Sequence, residues 1–164
     1  MLSKKMEKAL NEQLNAEAYS SYLYLSMSAS FSARNLKGFA QWMNVQAKEE
    51  FAHAMKFYDY LILRGARVTL QGVAQPPADW AGPAAAFKDT VAHEEKVTAM
   101  IDKLADLAVA EKDHASREFL DWFVKEQVEE EAQANEIAQR LNLAGSSTGA
   151  LLFMDHELGK RGKG

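Results

Sequence analysis

A carboxylate and an imidazole lie three residues apart in the segment KEEFAHAMKF, residues 48–57. Glu50 and His53 would share one face of a helix, so both side chains can reach the same metal ion. They occupy the face on which the large apolar residues of this segment are expected. A single Glu-x-x-His pair is only a weak indication of a metal site. It gains weight if the other predicted helices supply further metal-binding side chains.

Polar side chains interrupt the apolar stripe of every long predicted helix near its midpoint. The interrupting residues are Glu17 in the first helix, Glu50 and His53 in the second, Glu94 in the third, and Gln127 and Glu130 in the fourth. Helices of similar length that pack side by side bring their midpoints to one level. The polar groups are therefore predicted to converge inside the fold.

Four converging glutamates need compensation, because each ion moved into a protein interior costs several kcal/mol even after relaxation. The predicted stripes carry no lysine or arginine beside these glutamates. Two divalent cations would neutralise the four carboxylates. Oxygen-rich ligation with one imidazole suits iron or manganese better than a tetrahedral zinc site. The pattern predicts a dinuclear metal site.

The elements that position these residues are helices, since Ala, Leu, Glu, Lys, Gln and Met dominate the chain. All three prolines fall within residues 65–83, together with Gly65, Gly72 and Gly82. We expect helices over about 4–34 and 36–64, a third from Pro83, and a fourth to about residue 142. Asp113 is the expected N-cap of the fourth helix, in the polar stretch EKDHAS.

The connection over about 65–82 determines the topology. Its residues can extend about 60 Å, more than the length of one of these helices, so the chain can cross the whole bundle. This places the third helix parallel to the second. The sequence thus predicts an all-α fold, with a single domain built on a four-helix bundle over about 4–142. A short C-terminal helix is expected over about 147–160, after breakers near Gly145.

Composition narrows the classes of partner. The chain has 164 residues, a mass of 18.3 kDa, a formal net charge of −4 and an isoelectric point near 5.6, which gives no electrostatic reason to expect nucleic acid. It has no cysteine, so disulfides and thiolate sites are excluded. No apolar run approaches the roughly 18 residues of a membrane span, and the start lacks a signal-peptide pattern. We therefore expect a cytoplasmic protein.

Four segments of the chain resemble the helices of non-haem bacterial ferritins. They are NEQLNAEAYSSYLYLSMSA, MNVQAKEEFAHAMKFYDYLILRG, HEEKVT and FVKEQVEEE. The resemblance covers nearly the full length. It implies a ferritin-like bundle whose C-terminal helix packs about a four-fold axis of a hollow homo-oligomer of twenty-four subunits.

The resemblance also implies a ferroxidase centre that binds two irons. Glu17, Glu50 and His53 would hold one iron, and Glu50, Glu94 and Glu130 would hold the other, so that Glu50 bridges them. Gln127 would line the second iron. Tyr24 and Trp122 resemble the aromatic residues beside the centre that supply electrons.

A third iron site is implied next to the pair. Its ligands would be Glu49, Glu126 and Glu129, with Glu130 shared. The residues alone leave an alternative open, because the segment EQVEEEAQ is also typical of a solvated acidic face.

Two departures distinguish the chain from related families. Bacterioferritins and many di-iron oxygenases carry a second Glu-x-x-His, where this chain has Gln127 and Glu130. Bacterioferritins also place a haem-binding methionine directly after the residue that corresponds to Glu50, where this chain has Phe51. Haem is therefore not expected.

The expected function is iron storage. The centre would oxidise Fe(II) to Fe(III) with dioxygen or hydrogen peroxide, and the ferric product would form a mineral inside the shell. One rival is a di-iron or di-manganese oxidoreductase that stores no iron and has a substrate pocket. A second rival is a metal-free helical interaction module.

Overall fold

The computed structural model describes residues 2–162, and this range forms five helices and no strand. The helices are α1 (Lys4–Ala33), α2 (Lys37–Leu63), α3 (Pro83–Ala110), α4 (His114–Ala144) and α5 (Thr148–Leu158). The predicted fold class is confirmed: a four-helix bundle with a long crossover between α2 and α3 and a short fifth helix.

Residues in the left-handed region of the backbone end three of the helices. Asn35 (φ 60°) lies between α1 and α2, Gly65 (φ 67°) follows α2, and Lys112 (φ 55°) follows α3. Asp113 then caps α4, because its side chain accepts a hydrogen bond of 3.1 Å from the backbone N–H of Ser116. Asn35 and Lys112 thus lie in tight turns between consecutive helices, whereas Gly65 leads into the long crossover.

Helices α1 and α2 are antiparallel and approach closely through serine side chains. Ser21 donates to the carbonyl oxygen of Ala47 at 2.7 Å, and Ser28 donates to that of Ala40 at 2.8 Å. These small residues face α2 where larger side chains would separate the helices. The same antiparallel packing relates α3 to α4, and α2 to α4.

The crossover between α2 and α3 is fixed at both ends of the bundle. Near its start, the side chain of Asn11 accepts from Thr69 N–H at 2.7 Å and donates to the Arg67 carbonyl at 3.0 Å. Near its end, the buried Trp80 donates from Nε1 to Asp89 at 2.9 Å. The segment therefore crosses the length of the bundle, and α3 runs parallel to α2.

Two apolar clusters fill the bundle on either side of its midplane. One cluster is centred on Phe31, Phe39 and Phe87, and the other on Leu10, Phe57, Ile101, Leu120 and Phe123. The buried polar residues of the four long helices lie between these two clusters. Within residues 2–162, no helix combines the length and the hydrophobicity needed to cross a membrane.

Helix α5 docks on the N-terminal end of α2. The Asp155 carboxylate accepts hydrogen bonds of 2.9 Å from the backbone N–H groups of both Gly38 and Phe39. It thus satisfies donors at the start of a helix whose own N-cap, Leu36, offers no side-chain acceptor. A Cβ atom at Gly38 would lie 1.5 Å from the carbonyl oxygen of Asp155, so only glycine permits this approach.

Gly38→Ala should displace α5 and lower the stability of the protein. The clash is with backbone, which cannot rotate away as a side chain can, so we expect a loss of at least about 1–3 kcal/mol. Gly149→Ala is the matched control, because a Cβ at Gly149 meets no atom within 4 Å in the protomer. Thermal unfolding should show a lower midpoint for Gly38→Ala alone. Equal midpoints in the two variants would contradict this docking of α5.

Candidate metal centre

Each long helix contributes to one buried polar centre. Helix α1 supplies Glu17, α2 supplies Glu50 and His53, α3 supplies Glu94, and α4 supplies Glu130, with Gln127 one turn before it. All six side chains belong to residues that are at most 4% exposed. The structure therefore brings together the residues that interrupt the apolar stripes of the sequence.

Ligand atoms in the centre form overlapping sets of three. Glu17, Glu50 and His53 form one set, and Glu50, Glu94 and Glu130 form another. Within each set the candidate ligand atoms lie within 4.8 Å of one another. Glu50 belongs to both sets, so its two carboxylate oxygens can serve two metal ions. These are the groupings that the resemblance implies, and their assignment as ligands is a proposal.

Glutamine side chains hold the four carboxylates in place. Gln13 donates to Glu17 at 2.8 Å, and Gln127 donates to Glu94 at 3.2 Å. Sequence reasoning missed the first of these donors.

Gln46 connects two helices across the centre. Its amide nitrogen donates to Glu50 at 2.9 Å on its own helix and to Glu130 of α4 at 2.7 Å. Sequence reasoning also missed this role, although a signal exists: the spacing Gln-x-x-x-Glu occurs both at Gln13 and Glu17 and at Gln46 and Glu50. Residues four apart in a helix are neighbours, so this repeat indicates an amide that positions a carboxylate.

Burial changes the acid–base behaviour of the centre. Burial, together with the charge of Glu50, raises the pKa of Glu94 to about 7 and that of Glu130 to about 8, and raises the pKa of Glu17 well above its usual range. Among residues 2–162, only one of the four glutamates forms an ion pair: Glu50 Oε2 lies 3.3 Å from Nδ1 of His53.

Burial and the neighbouring carboxylates have opposite effects on the pKa of His53. Burial lowers the pKa of His53, but the hydrogen bond to Glu50 and the charges of Glu50, Glu130 and Glu126 outweigh it, so the net pKa is raised. Without metal, the centre therefore retains protons on groups that would have to release them on binding a metal ion.

Two buried oxygen atoms point to a bound cation. Glu17 Oε2 and Gln46 Oε1 have no hydrogen-bond partner among the described residues. Buried polar atoms without a partner are costly, and each of these two is an acceptor. A donor set of four carboxylates and one imidazole fits iron or manganese. The donor set is thus chemically suited to bind such a metal ion.

Aromatic residues flank the centre on two sides. Tyr24 is fully buried, and its hydroxyl donates to Glu94; burial first, then the charges of Glu94 and Glu50, raise the pKa of Tyr24. His93 packs edge-on against Tyr24 with ring centroids 5.8 Å apart. On the other side, Trp122 packs edge-on against His53 at 5.4 Å. The Tyr24 hydroxyl is thus in direct hydrogen-bonding contact with the centre.

The residues of the implied third site are only partly brought together. Glu126 forms a set with His53 and Glu130 whose candidate ligand atoms lie within 4.8 Å of one another. Glu49 instead pairs with Arg161, and Glu129 is exposed. Neither belongs to a set of three metal-binding groups within the described part of the chain. Glu126 is therefore the implied third-site residue that joins the centre directly.

A groove of about 580 Å³ runs between α2 and α4 beside the centre. Its lining includes Lys56, Tyr60, Phe119, Trp122 and Phe123. Trp122 and Phe123 also pack against His53, so they separate the groove from the ligand sets. The groove does not include any of the four buried glutamates.

Comparisons with known proteins agree on one family. A family model described as "Ferritin-like domain" matches residues 7–144. The "Bacterial non-heme ferritin" of Bacteroides fragilis is 43% identical over 161 residues, covering 98% of this chain and all of that protein. Its namesake from Staphylococcus aureus (strain MRSA252) is 38% identical over 98% of this chain and 97% of that protein.

Solved structures give the same result. The chain is similar to an open-pore ferritin from the archaeon Archaeoglobus fulgidus, with a TM-score of 0.97 and 51% identity. The match covers 98% of this chain and 99% of that one. An engineered closed form of the Archaeoglobus fulgidus ferritin also matches with a TM-score of 0.97.

The raised pKa of Glu130 predicts how the stability of the metal-free protein depends on pH. Because the folded-state value of about 8 exceeds the ordinary 4.5, folding binds a proton, and this stabilisation is lost as pH rises toward 8. Glu130→Gln should therefore raise the melting temperature by roughly 5 °C near pH 8.5 and change it little near pH 4, below the ordinary pKa, where the carboxyl group is protonated in both the folded and the unfolded state.

Glu129→Gln is the matched control for that measurement. It removes the same charge one residue away on the exposed face of α4, so its melting temperature should follow the parent protein at both pH values. Thermal melts in the presence of a chelator make the comparison. Destabilisation by Glu130→Gln at both pH values would show that the carboxylate is not under electrostatic strain.

Proposed function

The chain belongs to the ferritin family, and we propose that its buried carboxylate centre oxidises Fe(II) to Fe(III) as the first step of iron storage. Iron storage itself follows from the family, since relatives that match over nearly the full chain are non-haem ferritins. The oxidation step is our inference from the centre. The observation that carries it is the pair of ligand sets that share Glu50.

The proposed reaction balances with iron as the substrate. Two Fe(II) ions each give up one electron, and dioxygen takes up the two electrons and two protons to become hydrogen peroxide. Hydrogen peroxide can replace dioxygen as the oxidant, and it is then reduced to water. Because carboxylates stabilise the higher charge of Fe(III) more than that of Fe(II), the ligand sets favour the oxidised product.

Residues around the ligand sets have supporting roles in this proposal. Gln46 holds Glu50 and Glu130 at a fixed separation, and Gln127 lines the second iron beside Glu94. Tyr24 donates its hydroxyl hydrogen to Glu94 and is placed to give an electron when partly reduced oxygen forms. Phe51 is 58% exposed and offers no ligand atom, which supports a centre that works without haem.

Storage requires a shell, and we propose the homo-oligomer of twenty-four subunits that the resemblance implies. Large apolar side chains lie exposed on the protomer, among them Tyr22, Phe51 and Met55 near the α1–α2 pair, and Phe153 on α5. Neighbouring copies would cover them. The ferric product then forms a mineral in the enclosed cavity of a cytoplasmic particle.

A third iron site next to the pair is also proposed. Glu126, Glu129 and Glu130 lie at i, i+3 and i+4 on α4, and Glu49 would join from α2. Support for this site comes from the grouping of Glu126 with His53 and Glu130. Iron held there would be adjacent to the paired irons without being needed for their binding.

Glu50→Ala should abolish most of the rapid oxidation of Fe(II), because a bridging carboxylate serves both irons. We expect the initial rate in stopped-flow absorbance to fall at least about tenfold, toward that of buffer. Glu95→Ala is the control, since Glu95 follows Glu94 in the chain but is exposed. An unchanged rate in Glu50→Ala would refute the proposed centre.

Glu129→Ala should spare the rapid oxidation of the first two irons per subunit and alter the later stage of iron uptake. The iron oxidised per oxygen consumed, and the recovery of the centre between additions, should both change. An oxygen electrode with sequential Fe(II) additions measures both. The control is Glu136→Ala, which removes an exposed carboxylate farther along α4. If Glu129→Ala and Glu136→Ala behave alike, the α4 carboxylates are a solvated face and the third site is wrong.

A further inference from the structure

The segment after α5, which we call the C-terminal tail (residues 159–162), lies along one face of α2. Gly159 sits against Gly38, where a Cβ on Gly159 would lie 3.2 Å from the Gly38 Cα. One turn on, Gln41 donates to the Arg161 carbonyl at 3.2 Å. Beyond that, a Cβ at Gly162 would meet the Val45 side chain at 2.9 Å. The tail is therefore held close to α2 over about two turns.

Arg161 extends this contact toward the buried centre. Its guanidinium lies over the ring of Trp42, 4.3 Å from the centroid, and Nη2 donates to Glu49 Oε2. Its Nη1 is buried and has no hydrogen-bond partner among the described residues. The Arg161 side chain is 18% exposed and that of Glu49 is 45% exposed. Because arginine does not lose its charge in proteins, Glu49 faces a permanent cation.

Glu49 lies level with the acidic side chains of α4. Gln46, one turn before it on α2, hydrogen-bonds to Glu130 at 2.7 Å. His53, one turn after it, lies 4.0 Å from Glu126. The backbone of Glu49 is thus flanked by two direct contacts to α4, yet its carboxylate is paired with the tail.

We propose that Arg161 is a tethered cation that competes with metal ions for Glu49, so that the C-terminal tail sets the metal affinity of the acidic face formed by Glu49, Glu126 and Glu130. The inference rests on the proposed function, since it concerns the third site beside the oxidation centre. A divalent cation that recruits Glu49 must displace the guanidinium. Arg161 keeps its contact with Trp42 in that event, so the tail remains docked while Glu49 changes partner.

Removal of the arginine charge should therefore strengthen metal binding at this face. Zn(II) is a suitable probe, because it is divalent and does not undergo oxidation. In calorimetric titrations of the metal-free particle, Arg161→Gln should tighten the weaker class of Zn(II) sites by about fivefold, the upper range for a partly exposed ion pair. Arg161→Lys should lie between Arg161→Gln and the parent, since it retains charge but loses the planar fork.

Lys160→Gln is the matched control. It removes one positive charge from Lys160, the residue next to Arg161, which pairs with Glu157 rather than with Glu49. The Zn(II) affinity of Lys160→Gln should equal that of the parent. Adding Glu49→Gln to Arg161→Gln should cancel the gain, because the competition needs this carboxylate.

Trp42 provides a second readout that does not depend on iron chemistry. In a background in which Trp80→Phe and Trp122→Phe leave Trp42 as the sole tryptophan, Zn(II) binding to the weaker class of sites should change Trp42 fluorescence, because the guanidinium above its ring loses the Glu49 carboxylate as a partner. Arg161→Gln should remove most of this change. The proposal is overturned if Arg161→Gln binds Zn(II) as the parent does, if Lys160→Gln gives the same gain, or if the gain survives Glu49→Gln. If these Zn(II) results hold but Glu50→Ala oxidises Fe(II) normally, the oxidation centre is wrong and the Arg161 competition stands.

Discussion

The structure depends on four glutamate side chains that share the dry interior of a helical bundle. Glu17, Glu50, Glu94 and Glu130 are each at most 4% exposed, and His53 is the only cationic partner among the described residues. Desolvation of this many like charges opposes their ionisation, as the raised pKa values of Glu94 and Glu130 show. Such an arrangement gains stability from divalent cations, which supply the missing positive charge.

The rest of the fold brings these carboxylates to one level and holds them there. Two aromatic-rich clusters pack the bundle on either side of the polar level, so the four helices cannot slide past one another without losing apolar contacts. The long crossover puts α3 parallel to α2, which brings Glu94 to the level of Glu50. Glutamine amides then complete the positioning by donating to every one of the four carboxylates.

Much of this could be predicted from sequence because the relevant patterns are local. The helices follow from composition and periodicity, and the Pro- and Gly-containing stretch over 65–83 marks the crossover. The α3–α4 turn is harder to predict, because its left-handed residue is Lys112 rather than glycine; only the excessive length of an unbroken helix and the capping residue Asp113 indicate it. The contact of Arg161 with Glu49 joins residues 112 positions apart, and no periodic pattern indicates such a pair. For the same reason, the resemblance to bacterial ferritins groups Glu49 with the α4 carboxylates, but no sequence pattern shows its competing partner.

The most direct test of the proposed dinuclear centre is diffraction at the iron absorption edge from crystals loaded with Fe(II) under anaerobic conditions. We predict two strong anomalous peaks per subunit in the middle of the bundle. One should contact Glu17, Glu50 and His53, and the other Glu50, Glu94 and Glu130, with a Glu50 oxygen on each iron. Iron confined to exposed carboxylates, with no peak among these five side chains, would contradict the dinuclear centre.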